Sequence, residues 1–78
     1  MTPIDAKWRA YVEALRIELI RAGRDPKQAL VANRDELTIR IDTPPNHYAR
    51  QLSELDLVEA DATWLAQQVI RDWREVTG

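Results

Sequence analysis

Apolar and polar side chains alternate at only one place in this chain. From Glu36 to Asp42, apolar Leu37, Ile39 and Ile41 interleave with polar Glu36, Thr38, Arg40 and Asp42. A period of two that includes β-branched residues predicts a half-buried strand. Asn33-Arg34-Asp35 before it and Thr43-Pro44-Pro45 after it punctuate its ends. No second run alternates this way, so the predicted strand has no partner in its own chain. Its backbone donors and acceptors need one. The simplest partner is the same strand of a second copy, which makes Leu37, Ile39 and Ile41 the expected dimer strand.

Elsewhere the apolar positions recur every three to four residues. Ile4 to Ala22 reads as a helix with Trp8, Tyr11, Val12, Leu15, Leu19 and Ala22 on one stripe, and Gly23 follows as a C-cap residue. Ala10, Ala14 and Ile17 form a small-residue back face. Asp25-Pro26 then starts a short helix, expected over Lys27 to Ala32, that delivers Leu30 and Val31 toward the core. After the prolines, Tyr48, Leu52 and Leu55 share a face and predict a helix beginning near Asn46. Asp61 is an N-cap type residue for the last helix, whose stripe is Ala62, Leu65, Ala66, Val69, Trp73 and Val76. Trp64 falls off that stripe at roughly 100° per residue. Either the first helix covers it, or it is exposed and marks a binding patch.

The expected fold class is therefore mostly α with one short strand (α+β). It is one domain over 1–78, in which a helical segment, 1–33, is added before a strand-helix-helix unit, 36–76. That unit resembles the ribbon-helix-helix family of bacterial and phage repressors and antitoxins. The residues that carry the resemblance are Leu37-Thr-Ile-Arg-Ile-Asp42, then Pro45, Tyr48, Leu52 and Leu55, then Asp61 with Leu65, Val69, Ile70 and Trp73. They cover about half of the chain. The resemblance implies a homodimer whose paired strands form an antiparallel ribbon in the major groove of double-stranded DNA. Thr38 and Arg40 would then face the bases, with basic side chains of the N-terminal half, Arg34 among them, on phosphate. An Arg such as Arg40 is suited to bidentate contact with guanine. The implied function is a DNA-binding regulator of transcription, a repressor or an antitoxin.

Charge brings in a second function. Glu36 and Asp42 share the ribbon face, and Glu54, Asp56, Glu59 and Asp61 surround the second helix start, where that family binds phosphate. Carboxylates at both places repel DNA. The alternative is a small protein-binding module or inhibitor on the same scaffold, with Trp64, Glu54, Asp56 and Glu59 as partner contacts. Residues 1–34 hold seven basic side chains against four acidic, a net of +3, whereas residues 35–78 hold four against nine, a net of −5. The halves either pack on one another through that complementarity or divide the labour, basic toward phosphate and acidic toward protein.

The chemistry of a catalytic or metal site is thin. There is no cysteine, and His47 and Ser53 are the single histidine and serine, at a spacing that does not share a helical face. The acidic run lacks the glycine and ligand rhythm of a calcium loop, and two glycines make no phosphate loop. We expect no catalytic residues, no metal and no cofactor. The expected partners are a second copy, double-stranded DNA, and a protein such as a toxin or another target. The start of the chain carries no apolar signal segment, and no run is long enough to span a membrane, so a cytoplasmic protein is expected.

Overall fold

The alternating segment finds its partners inside the chain. The computed structural model describes residues 2–77. Helix α1 (Pro3–Arg21) leads to a single helical turn, α2 (Pro26–Ala29), and then to strands β1 (Leu30–Asn33), β2 (Thr38–Thr43) and β3 (Asn46–Gln51). Helices α3 (Glu54–Glu59) and α4 (Ala62–Thr77) complete an α+β chain. The strands form one antiparallel sheet in the order β1-β2-β3. Across it Ile41 stands between Leu30 and Tyr48, Ile39 between Ala32 and Arg50, and Arg40 between Val31 and Ala49.

Three expectations are corrected by this topology. First, β2 is the central strand, so the ladder that pointed to a second copy is completed by β1 and β3. Ile39 and Ile41 are fully buried on its inner face, and Leu37 lies in the turn before it, buried with a φ of +52°. They are core residues of one chain and not the strand of a dimer. Second, the helix expected from Asn46 is β3. Tyr48 and Leu52 fit a helical face, but the two residues Pro44 and Pro45, joined by a cis peptide bond, bring Asn46 opposite Thr43. Pairing there covers an edge of β2 that a helix would leave bare. Third, the helix that begins at Asp25-Pro26 ends at Ala29, and Leu30–Asn33 pairs with β2. Strand alternation then sends Leu30 inward and Val31 outward, where it is exposed. The unit 36–76 on which the family resemblance rested, expected as strand-helix-helix, is strand-strand-helix-helix, and a further strand, β1, precedes it.

The helices follow their local signals closely. The Thr2 hydroxyl accepts from the Asp5 amide at 3.2 Å to cap α1. At its other end Gly23, at φ +80°, donates to the Ile20 carbonyl at 3.0 Å while Arg24 donates to that of Leu19 at 2.9 Å. This paired closure needs a left-handed residue, which glycine adopts freely. Asp61 caps α4, its carboxylate accepting from the Trp64 amide at 3.0 Å. Helices α1 and α4 bury Trp8, Tyr11, Leu15, Leu19, Leu65, Val69, Ile70 and Trp73 against Ile39 and Ile41. Two polar links fix α4 on the sheet: Trp73 Nε1 donates to Thr43 Oγ1 at 3.3 Å, and Arg50 Nη1 donates to Asp72 Oδ2 at 2.7 Å. Val76, expected on the α4 stripe, is exposed. Among the described residues no helix is long and apolar enough to cross a membrane.

Candidate functional site

Because the helices cover one face of the sheet, the other is open. Residues opposite each other in an antiparallel ladder point to the same side, so the open face carries Val31, Arg40 and Ala49 in one row and Asn33, Thr38 and Gln51 in the next. Thr38 and Arg40 do share this face, but both are engaged. Thr38 Oγ1 donates to the Glu36 carbonyl at 3.2 Å, which also accepts from Gln51 Nε2 at 2.9 Å. Arg40 Nε donates to Asp42 Oδ2 at 2.8 Å, and His47 Nδ1 lies 3.1 Å from Asp42 Oδ1. The His47 contact and then Arg40 hold the Asp42 carboxyl below the usual carboxylate value. Arg34 is not part of this group. Its Nε donates to Asp5 Oδ1 at 2.6 Å, which turns it toward the start of α1 on the helical side of the sheet. The three residues expected to meet DNA are therefore divided between two faces.

The residues expected to meet a protein fall on one segment. Glu54, Asp56 and Glu59 are all exposed on α3, whose first amides are capped by the Ser53 hydroxyl at 3.1 Å from the Asp56 amide. Leu57 anchors α3 in the core, whereas Leu55 and Val58 are 63% and 45% exposed. Trp64, in the first turn of α4, is 54% exposed, so α1 does not cover it. Residues 54–64 thus combine four carboxylates with three large exposed apolar side chains and contain no basic residue.

No family model, curated protein or solved structure matches the chain. Its function is read from the chemistry of its surfaces. Here the ion pairs are informative: among the described residues all of them join partners within 1–34 or within 35–78, and none crosses. The opposite charges of the two halves are not neutralised by pairing with one another, and each half shows its own sign at the surface.

One surface was not anticipated from the sequence. A groove of about 570 Å³ between α1 and β1 is lined by Trp8, Arg9, Val12, Arg16 and Ala32. Arg9, Val12 and Arg16 stand three and four residues apart, a spacing that places them on one helical flank. That flank borders a groove only because Leu30–Asn33 is a sheet edge, which the four residues do not announce by themselves.

Proposed function

We propose that this chain is a small protein-binding module that acts by occupying a partner's surface, and that it is not an enzyme. The observation that carries the reading is the 54–64 segment, where Leu55, Val58 and Trp64 stand exposed among Glu54, Asp56, Glu59 and Asp61. Exposed apolar side chains concentrated in one segment mark interaction surfaces, and tryptophan is the residue type most often found at their energetic centre. The carboxylates select a partner with a basic rim and repel phosphate.

The test starts with the immobilised full chain and a cell extract at about 0.15 M salt, where exposed charges act over only about 8 Å. A protein retained by the wild type is purified and titrated against wild type and a Leu55→Ser/Trp64→Ala double variant. Both positions are exposed, so the fold should be kept. A loss of affinity of at least about tenfold, or about 1.4 kcal/mol, supports the module. Retention of DNA instead, abolished by Arg40→Ala, supports a second reading, the DNA-binding regulator implied by the ribbon-helix-helix resemblance. What favours that second reading is Arg40, exposed on the open sheet face. What weighs against it is Asp42, 2.8 Å away on the same face.

A further inference from the structure

The sheet has two free edges, and they differ in chemistry. On β3, Arg50 points inward from the edge strand to its carboxylate partner Asp72, and His47 stands on the outer side. An inward charge on an edge opposes the addition of another strand, which would have to bury it. On β1 the residues are Leu30, Val31, Ala32 and Asn33, without charge or proline, and Val31 and Ala32 are exposed. Alongside runs the groove to α1, with Trp8, Val12 and Ala32 in its wall, continued by a hollow of about 230 Å³ beside Pro26, Lys27 and Leu30. The charges facing the groove are Arg9, Glu13 and Arg16 on α1, Lys27 on α2, and the Asp5–Arg34 pair at one end. Arg9, Arg16 and Lys27 have no ion-pair partner within 4 Å among the described residues. The rim is net basic over an apolar floor.

We infer that β1 and this groove bind an extended peptide whose groove-facing residues, every second one along it, are by turns apolar and acidic, added as a fourth strand to the sheet. The backbone of such a peptide would pair with β1 beyond Leu30, whose amide already donates to the Pro26 carbonyl. Strand alternation would send every second side chain into the groove, where its apolar members would meet Val12 and Ala32 and its carboxylates would come within reach of Arg9, Arg16 and Lys27. A second copy pairing β1 on β1 would bring the same cations together, and like charges across an interface are unfavourable. A nucleic acid would match the cations but leave the strand edge and the apolar floor without partners. This site is separate from the 54–64 segment, so it stands or falls independently of the reading above.

The test uses the full chain labelled with ¹⁵N and three probes: a capped octapeptide in which valine and glutamate take turns at every second position with threonine between them, the same peptide with lysine for glutamate, and a short oligothymidylate. The glutamate peptide should give saturable shifts confined to β1 and the flank of α1 from Trp8 to Arg16, and should slow hydrogen exchange at the outward amides of β1. The lysine peptide should give none. Arg16→Glu/Lys27→Glu, at two exposed positions, should weaken the glutamate peptide at least about tenfold. Should that variant also melt earlier, the contrast between the two peptides in the wild type decides the matter. The proposal is overturned by the absence of β1 shifts at millimolar glutamate peptide, by shifts confined to 54–64, by equal binding of the lysine peptide, or by tighter binding of oligothymidylate at the same amides.

Discussion

Tyr11 is fully buried on α1, and its hydroxyl has no hydrogen-bond partner among the described residues. Burial pushes its ionisation far above the usual tyrosine value, with Arg50 opposing the shift. A buried hydroxyl left unpaired costs about 1–3 kcal/mol, whereas the ring itself contributes through burial and through Trp8, whose centroid is 5.5 Å away. Tyr11→Phe keeps the ring and removes the hydroxyl. It should stabilise the chain by about 1 kcal/mol, raising the melting temperature by roughly 4–8 °C for a domain of this size. Chemical denaturation monitored by tryptophan fluorescence checks it, and a loss of stability would mean that the hydroxyl is hydrogen-bonded. Leu37 shows how far single residues could be read in advance. Alternation placed its side chain in the core, and it is there, but it projects from a left-handed turn position that leucine adopts reluctantly. The turn is closed by Asn33, whose side-chain oxygen accepts from the Asp35 and Glu36 amides at 3.1 and 3.3 Å. No pattern of residue type signals that conformation.

Among the elements, the helices with local capping chemistry were legible and the edge strands were not. Helix α1 was expected from Ile4 to Ala22 and runs Pro3–Arg21, because Gly23 and the apolar stripe act within a few residues of the helix they define. The start of α4 was legible for the same reason. By contrast β1 has four residues, and the side chains of β3 mimic a helical face. Both are strands because β2 offers two edges, a fact that no window around either segment contains. The candidate surfaces follow the same rule. Trp64 stood off its helical stripe and is exposed, whereas the groove needed β1 to exist before it had a second wall. The cap of α4 gives the prediction at this scale. Asp61→Ala removes the acceptor for the Trp64 amide and should cost about 1 kcal/mol, whereas Asp61→Ser restores an acceptor and should stay within a few tenths of wild type. Equal losses in both variants, measured by denaturant midpoint, would show that the carboxylate acts through charge and not as a cap.

For the molecule as a whole, charge is arranged so that each half pairs internally: Asp5 with Arg34 and Glu18 with Arg21 in one, Asp42 with Arg40 and His47, and Asp72 with Arg50, in the other. This leaves a groove with a net basic rim and a segment rich in carboxylates on one small body. It also fixes the response to acid. Asp5 is held below its ordinary value by the Thr2 hydroxyl and Arg34, and Asp42 by His47 and Arg40. A carboxyl depressed in the folded state contributes stability that is present above its unfolded value, 3.8, and lost as pH falls through the lower folded value. The wild type should therefore exceed an Asp5→Asn/Asp42→Asn variant by a constant difference in denaturant midpoint at neutral pH, and the difference should close below 3.8. Both pairs are solvent-exposed, so the difference should be small and should shrink further at about 1 M salt, where screening acts within about 3 Å. A difference that widens in acid would mean that the two carboxyls are raised by folding. Protonating Asp5 also releases Arg34 at the end of the groove. The carboxyls of the glutamate peptide, at about 4.3 as for ordinary glutamate, protonate before Asp5 does, so the peptide should bind β1 less tightly as pH falls and should be lost before Arg34 is released.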